Sequence, residues 1–303
     1  SARFVTRIGA PYTDRYGVDP LVAHGGPVLQ QNGVSTATCS VAGETVPAEA
    51  EFVSPRNVPA LYGLGLLEAI PDSQIRLYAS KFSPNRNEVS GRINSVNGRI
   101  GRFGWKAQLA TLHDFGADAY LEEMGITTPF KPEENLPHGE PVSCDGEPEF
   151  EDDGAAVAAF SDFLAVLAAP PVEARPSREA RKGRAYFRRA RCGLCHTDRY
   201  TTADSSVASL NNRRVLAYTD LLVHEMGAAL ADGIWQNSAR GDEFRTAPLW
   251  GVRYSAPYLH DGRAATLEDA ILAHGGEAAG SAAVFQALSP EKRALLVEFL
   301  KSL

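Results

Sequence analysis

Apolar residues recur with helical spacing in only part of this chain. Between 106 and 125 they fall at Leu109, Leu112, Tyr120, Leu121 and Met124, which predicts a helix there. A second helix is expected from about Gly154 to Ala169, where preceding acidic residues suit the positive end of its dipole and Pro170-Pro171 ends it. Ser177 can cap a third helix that carries Tyr186 and Phe187. The last opens at Ser289-Pro290-Glu291 and sets Leu295, Leu296, Phe299 and Leu300 on one face. Elsewhere the pattern is broken. Residues 1 to 70 mix short apolar runs with breakers such as Gly25-Gly26-Pro27 and Val46-Pro47, and read as loops with a few short elements. Residues 71 to 102 read as an insertion in which Ser83-Pro84-Asn85 and the glycines of the run Ser90 to Gly98 forbid a long helix. Thr127 to Asp153 reads as a polar, acidic loop. The pattern as a whole predicts a mainly α fold with long irregular loops and insertions.

At 303 residues the chain suits about two domains. A linker at Pro170 to Pro176 predicts their extents as 1–170 and 171–303. The composition, 44% hydrophobic and 22% charged, is that of an ordinary globular protein. The net charge of −7 argues against nucleic acid, which needs a basic footprint, and leaves small basic redox proteins as partners. The most apolar stretch, Ala155 to Ala169, contains Asp162 and falls short of the roughly 20 residues that span a membrane, so no transmembrane segment is expected. Ser1-Ala2-Arg3-Phe4 has no basic segment leading into an apolar core, so any signal peptide is expected to be already removed or to lie outside this sequence.

The strongest chemical signal is Arg191-Cys-Gly-Leu-Cys-His-Thr197. In Cys192-x-x-Cys195-His196 two thiols can reach the two vinyl groups of one haem while the adjacent imidazole takes the iron. A redox dithiol would follow a strand in a βαβ unit, whereas here a basic helix precedes the motif. A helix before the motif and an amphipathic helix closing the chain suit a cytochrome c-like haem domain over 171–303. Covalent haem attachment takes place outside the cytoplasm, which implies a periplasmic or extracytoplasmic address. The sixth iron ligand must come from His224, Met226, His260 or His274, and composition leaves these level. A Met would raise the reduction potential and a second His would lower it. Cys39 and Cys144 can bridge in an oxidising compartment or stand as separate buried thiols, and their spacing does not choose.

The segment Arg245-Thr-Ala-Pro-Leu-Trp-Gly-Val-Arg-Tyr-Ser-Ala-Pro-Tyr-Leu-His-Asp-Gly-Arg-Ala-Ala-Thr-Leu-Glu-Asp-Ala270 resembles the C-terminal haem domain of bacterial di-haem cytochrome c peroxidases and MauG-like enzymes. Tyr218-Thr-Asp-Leu-Leu-Val-His-Glu-Met-Gly227 and Gly101-Arg-Phe-Gly-Trp-Lys-Ala107 extend the likeness to the branch often labelled thiol oxidoreductases. In the peroxidases the sixth ligand lies fourteen residues beyond the position of His260, which lands on His274, where they usually carry Met. The resemblance therefore implies a bis-histidine haem with His196 and His274 as ligands, and His260 and His224 bonding to propionates or backbone around it.

Other positions follow from the same resemblance. Trp105 matches a Trp between the two haems. Glu123 matches the acid/base that assists O–O cleavage, although its spacing from the Trp is two residues shorter, and a solvent-facing acid is the alternative. Asn57, Ser255 and Pro257 match an interdomain calcium site built of hard oxygen donors, with capping the alternative for Asn57. Arg56 to Gly63 resembles Arg245 to Gly251, and Phe103 to Leu112 resembles Leu259 to Leu267, the trace of a duplicated haem domain of which 1–170 is the degenerate or truncated copy. The family places a further haem motif before the position where this chain begins, and the natural protein is expected to have lost it or to be supplied without it. The implied function is a periplasmic cytochrome of the peroxidase/MauG-like family, whose haem c relays electrons to a peroxide-activating haem outside this chain. The alternative is a non-catalytic electron-transfer subunit of a larger redox assembly. Either would meet a small cytochrome, a cupredoxin, or a haem-bearing segment or subunit. The thiol label finds no support, since Cys39 and Cys144 form no redox dithiol motif.

Overall fold

The computed structural model describes residues 4–14, 16–81, 89–142, 144, 150–171 and 175–303. Ser83-Pro84-Asn85 and the middle of the expected linker lie outside these residues. In chain order the strands are β1 (Phe4–Pro11), β2 (Val18–Asp19), β3 (Val34–Ser35), β4 (Ser40–Val41), β5 (Phe52–Asn57), β6 (Ser95–Val96), β7 (Arg99–Ile100), β8 (Tyr200–Thr201), β9 (Arg214–Val215), β10 (Val223–Glu225) and β11 (Glu243–Arg245). The α-helices are α1 (Leu64–Glu68), α2 (Asp72–Lys81), α3 (Leu112–Met124), α4 (Ala155–Val166), α5 (Arg178–Arg189), α6 (Leu267–Leu272), α7 (Ala279–Gln286) and α8 (Pro290–Lys301). The mainly α expectation is thereby corrected. Among the described residues helix accounts for 33% and strand for 16%, in several small antiparallel sheets, a mixed α/β content. The expectation failed in the first 57 residues, where β1 pairs with β5 far along the chain and β2, β3 and β4 are only two residues long. At 72–81 the ten-residue helix α2 forms ahead of the breakers, within the stretch read as an insertion. No helix among the described residues is long and apolar enough to cross a membrane.

The chain divides into two compact units. The first comprises residues up to Val58, His113–Phe163 and Asp232–Gln236. Its sheet runs β2-β1-β5, with β1 antiparallel to β5 from Phe4↔Asn57 to Gly9↔Phe52. Along β1 the inward residues Thr6 and Ile8 are buried, and Ile8 packs with Leu21 and Leu29. Arg56 on β5 is buried against Asp232, Nη2 to Oδ2 2.6 Å, and Ser54 Oγ donates to the same carboxylate at 2.9 Å. The β3–β4 hairpin ends beside Cys39, which is disulfide-bonded to Cys144 at a Cα separation of 5.4 Å. At the start of α4 the Asp152 and Asp153 carboxylates accept the amides of Ala156 and Ala155, both at 3.0 Å, as the acidic lead-in implied.

The second unit comprises Pro59–Leu112, Leu164–Ala231 and Asn237–Leu303. Ser177 Oγ accepts the Ala180 amide at 3.0 Å and starts α5, which crosses α8. A Cβ at Gly183 would collide with Leu295 O, so only glycine allows that crossing. Beyond it, Phe187, Tyr218 and Phe299 meet edge to face with centroids 5.2 to 6.0 Å apart, each pair adding about 0.5–1.5 kcal/mol beyond area burial. The segments read as repeats share local geometry. Phe103 bridges Leu109 three residues before α3, and Tyr258 bridges Ala264 three residues before α6. Gly63 and Gly251 both take left-handed φ (73° and 64°) and donate their amides to Leu167 O and Leu303 O. Each is covered by the other copy's aromatic ring: a Cβ at Gly63 would meet Trp250 at 2.6 Å, and one at Gly251 would meet Tyr62 Oη at 2.6 Å.

Two stability outcomes follow. Cys39→Ser should lower the denaturant stability of the oxidised protein by about 2–5 kcal/mol, because the bridge closes a loop between residues 105 apart, and a reducing agent should abolish the difference. Gly183→Val should lower the melting temperature through overpacking of about 1–3 kcal/mol or more, measured by calorimetry.

Candidate haem-binding site

The Cys-x-x-Cys-His run leaves α5 through Arg191, whose φ is 63°, and turns as a 3-10 helix over Cys192–Leu194, so no strand leads into it. Both thiols are free, and burial pushes Cys192 up to about 12 and raises Cys195 as well. A redox-active dithiol needs the opposite shift, toward thiolate. The next residue, His196, donates Nδ1–H to Tyr218 O at 2.9 Å. Burial drives its pKa down to about 4, and its Nε2 makes no hydrogen bond among the described residues.

His274 repeats this arrangement on another element. Helix α6 opens with a capping box of Thr266 and Asp269 and ends one residue before Ala273, so that His274 leaves its last turn. His274 donates Nδ1–H to Ala270 O at 2.7 Å, burial lowers its pKa, and its Nε2 likewise has no hydrogen bond among the described residues. The two rings are close enough for their charges to interact. Two neutral imidazoles, each with Nδ1 committed to a carbonyl and the Nε2 lone pair unengaged, are the donor set that an axial iron pair needs. The residues therefore fit a covalently held haem with His196 and His274 as its ligands.

His224, on β10, is placed differently. Its Nε2 meets Asp220 Oδ2 at 3.0 Å and its Nδ1 meets Glu277 Oε2 at 2.8 Å, so both ring nitrogens face carboxylates. Burial alone would lower its pKa, but the Asp220 charge and the bonds to Asp220, Cys195 and Glu277 override it and hold the ring well above its ordinary value, as an imidazolium. Cys195 Sγ is 3.8 Å from Nδ1. Ligand atoms of Cys195, Asp220 and His224 lie within 4.8 Å of one another, but a metal there would compete for a sulfur that the haem motif would use.

His260 is buried, stacks on Phe244 at 4.1 Å and meets the edge of Trp105 at 6.4 Å. Lys106 Nζ stands 4.0 Å over the Phe244 ring and donates to the carbonyls of Arg240, Gly241 and Glu243. Arg245 donates its amide to Trp105 O at 2.7 Å and its Nε to Gly104 O at 2.8 Å, and burial lowers its pKa to about 10 against the pull of Asp220. The turn that carries Trp105 is thus fixed through its own carbonyls by a buried cation. The parts played by Lys106, Arg245 and Asp220 were not read from the sequence, although Asp220 and His224 stand four apart in the run Tyr218 to Gly227. Nothing in the sequence singled out Glu277.

In the first unit Glu123 is exposed on α3, whereas its neighbour Glu122 is buried. Burial raises the Glu122 pKa, with Arg7 opposing, and its Oε2 has no hydrogen-bond partner among the described residues. Asn57 ends β5 in that unit. Ser255 and Pro257 belong to the second unit, where Ser255 caps a 3-10 turn and a cis peptide precedes Pro257.

A family model described as "Di-haem oxidoreductase, putative peroxidase" matches residues 48–303. Among solved structures the chain is similar to a MauG-like protein associated with microbial copper homeostasis, at 16% identity over 93% of this chain and 85% of that one, with a TM-score of 0.45. It is also similar to hydrazine synthase from Kuenenia stuttgartiensis, at 14% identity over 89% of this chain and 98% of that one, with a TM-score of 0.41. No curated protein matches.

The clamp around His224 gives the folded state a signed pH dependence. Burial opposes the Glu277 charge, but hydrogen bonds from His224 and Ser90 hold the carboxyl down to about 2 against an ordinary 4.5. Its contribution to stability is therefore full above pH 4.5 and lost as pH falls toward 2. The His224 contribution is full below its ordinary 6.5 and is lost only as pH rises through its raised value. In acid titrations followed by circular dichroism, Glu277→Gln should lose less stability than the native chain between pH 4.5 and 2.

Proposed function

This chain belongs to the di-haem oxidoreductase family, and from that premise we propose that it is an extracytoplasmic electron-transferring cytochrome with one haem c, held by Cys192 and Cys195 and ligated by His196 and His274. The observation that carries the reading is the matched pair of imidazoles, each oriented by a backbone carbonyl and each with no hydrogen bond to Nε2 among the described residues. The bound haem would supply one-electron chemistry. With His196 and His274 both holding the iron, the site would favour electron relay over peroxide reduction. A peroxide-activating haem would then come from a further segment or from another subunit. Trp105, edge-on to His260, which stacks on Phe244, offers an aromatic path within the second unit. With a net charge of −7, a small redox protein with a basic face is the matching electron partner.

Intact mass of the matured protein should show one covalent haem, and its ferric spectrum should be low-spin. His274→Met should raise the midpoint potential by roughly a hundred millivolts or more, within the ~0.8 V that axial ligands span, and an unchanged potential would remove His274 from the iron.

A further inference from the structure

His274 leaves the end of α6, and three residues later Glu277 lies in the 3-10 turn Gly276–Ala278. Glu277 points inward, with its side chain 11% exposed. Its Oε2 accepts from His224 Nδ1 and from the Ser90 amide, both at 2.8 Å, and its Oε1 accepts from the Ser90 hydroxyl at 2.6 Å. His224 is gripped from its other nitrogen by Asp220, which is fully buried, and stands 3.8 Å from the Cys195 sulfur. One imidazolium thus ties the haem-bearing turn to the segment that holds the sixth ligand.

The backbone around this tie is closely packed, with the Glu225 carboxylate beside Gly276. A Cβ at Gly276 would collide with Glu225 O, and one at Gly275 would fall 2.7 Å from Met226 O. The stretch from His274 to Glu277 therefore lies flat against the end of β10, and Glu277 supplies its charged anchor. Burying an ion pair contributes little net stability compared with apolar packing, because desolvation offsets the attraction. Removing one partner, however, strands the other charge. Such a pair is better suited to fixing a position than to holding a fold together.

We propose that the His224–Glu277 ion pair is a latch on the sixth haem ligand: closed, it holds His274 against the iron, and broken, it frees the 274–277 segment so that a small ligand can enter. The inference rests on the bis-histidine reading above. His224 and Glu277 are positioning residues that act through His274, and Asp220 keeps the imidazolium in place from behind.

The test uses the haem-loaded chain, with ferric spin state read by electron paramagnetic resonance and carbon monoxide binding to the reduced protein read by stopped flow. His274→Ala serves as the open reference. Glu277→Ala should show a high-spin fraction and bind carbon monoxide about tenfold faster or more than the native chain, since the rate follows the open population. Glu277→Gln, which keeps an acceptor for Ser90 but loses the charge, should fall between. If both Glu277 variants stay low-spin and bind at the native rate while His274→Ala opens, the latch is wrong and the ligation stands. If the native haem is high-spin, or His274→Ala binds no faster, the ligation reading fails and takes the latch with it. Should Glu277→Ala not fold, Glu277→Gln and Ser90→Ala decide on the same two readouts: faster binding supports the latch, and native rates overturn it.

Discussion

Two imidazoles from distant parts of a chain can serve one iron only if each arrives neutral and already turned. With His196 and His274 as the ligands proposed above, backbone carbonyls meet that constraint. Tyr218 O takes the His196 Nδ1 proton and Ala270 O takes that of His274, so the tautomer and the ring direction are set before any metal is present. Much of the second unit serves to hold those two carbonyls still. Tyr218 is packed between Phe187 and Phe299 at the crossing of α5 and α8, and Ala270 belongs to a short helix whose first turn is closed by a reciprocal cap. Core packing and ligand geometry are in this sense one problem.

Charge is handled just as locally. His196 and His274 are kept neutral by burial, while His224, one strand away, is kept charged by two carboxylates. The same dry interior thus yields opposite protonation states, and the difference lies in whether a carbonyl dipole or a full negative charge faces the ring. Lys106 and Arg245 follow another rule, since their direct partners are main-chain carbonyls. Cations bonded to carbonyls organise the turn at Gly104 and Trp105, with Asp220 as a more distant charge on Arg245.

What the sequence disclosed depended on range. Contiguous signals were legible: Ser177 caps α5, Ser289-Pro290 opens α8, and the haem motif follows a basic helix. The counterpart of Arg56 to Gly63 in Arg245 to Gly251 was legible too, and the positive φ at both glycines explains why the repeated residue had to be Gly. The strands were not, because β1 pairs with β5 across more than forty residues of irregular chain and β2 is two residues long. The His224 clamp was only half visible. Asp220 lies one helical turn from it in sequence, but Glu277 and Ser90 come from segments that carry no local mark of their meeting.

The reciprocal seating of Gly63 under Trp250 and Gly251 under Tyr62 bears on how such a chain can evolve. Neither copy of the repeated segment is free to drift, because the aromatic residue of each is the wall of the other's tight turn. A copy with no cofactor of its own would still be selected as masonry for the copy that has one. Its sequence fingerprint would then outlast its chemistry, and kinship read from that fingerprint would report shared architecture more faithfully than shared catalysis.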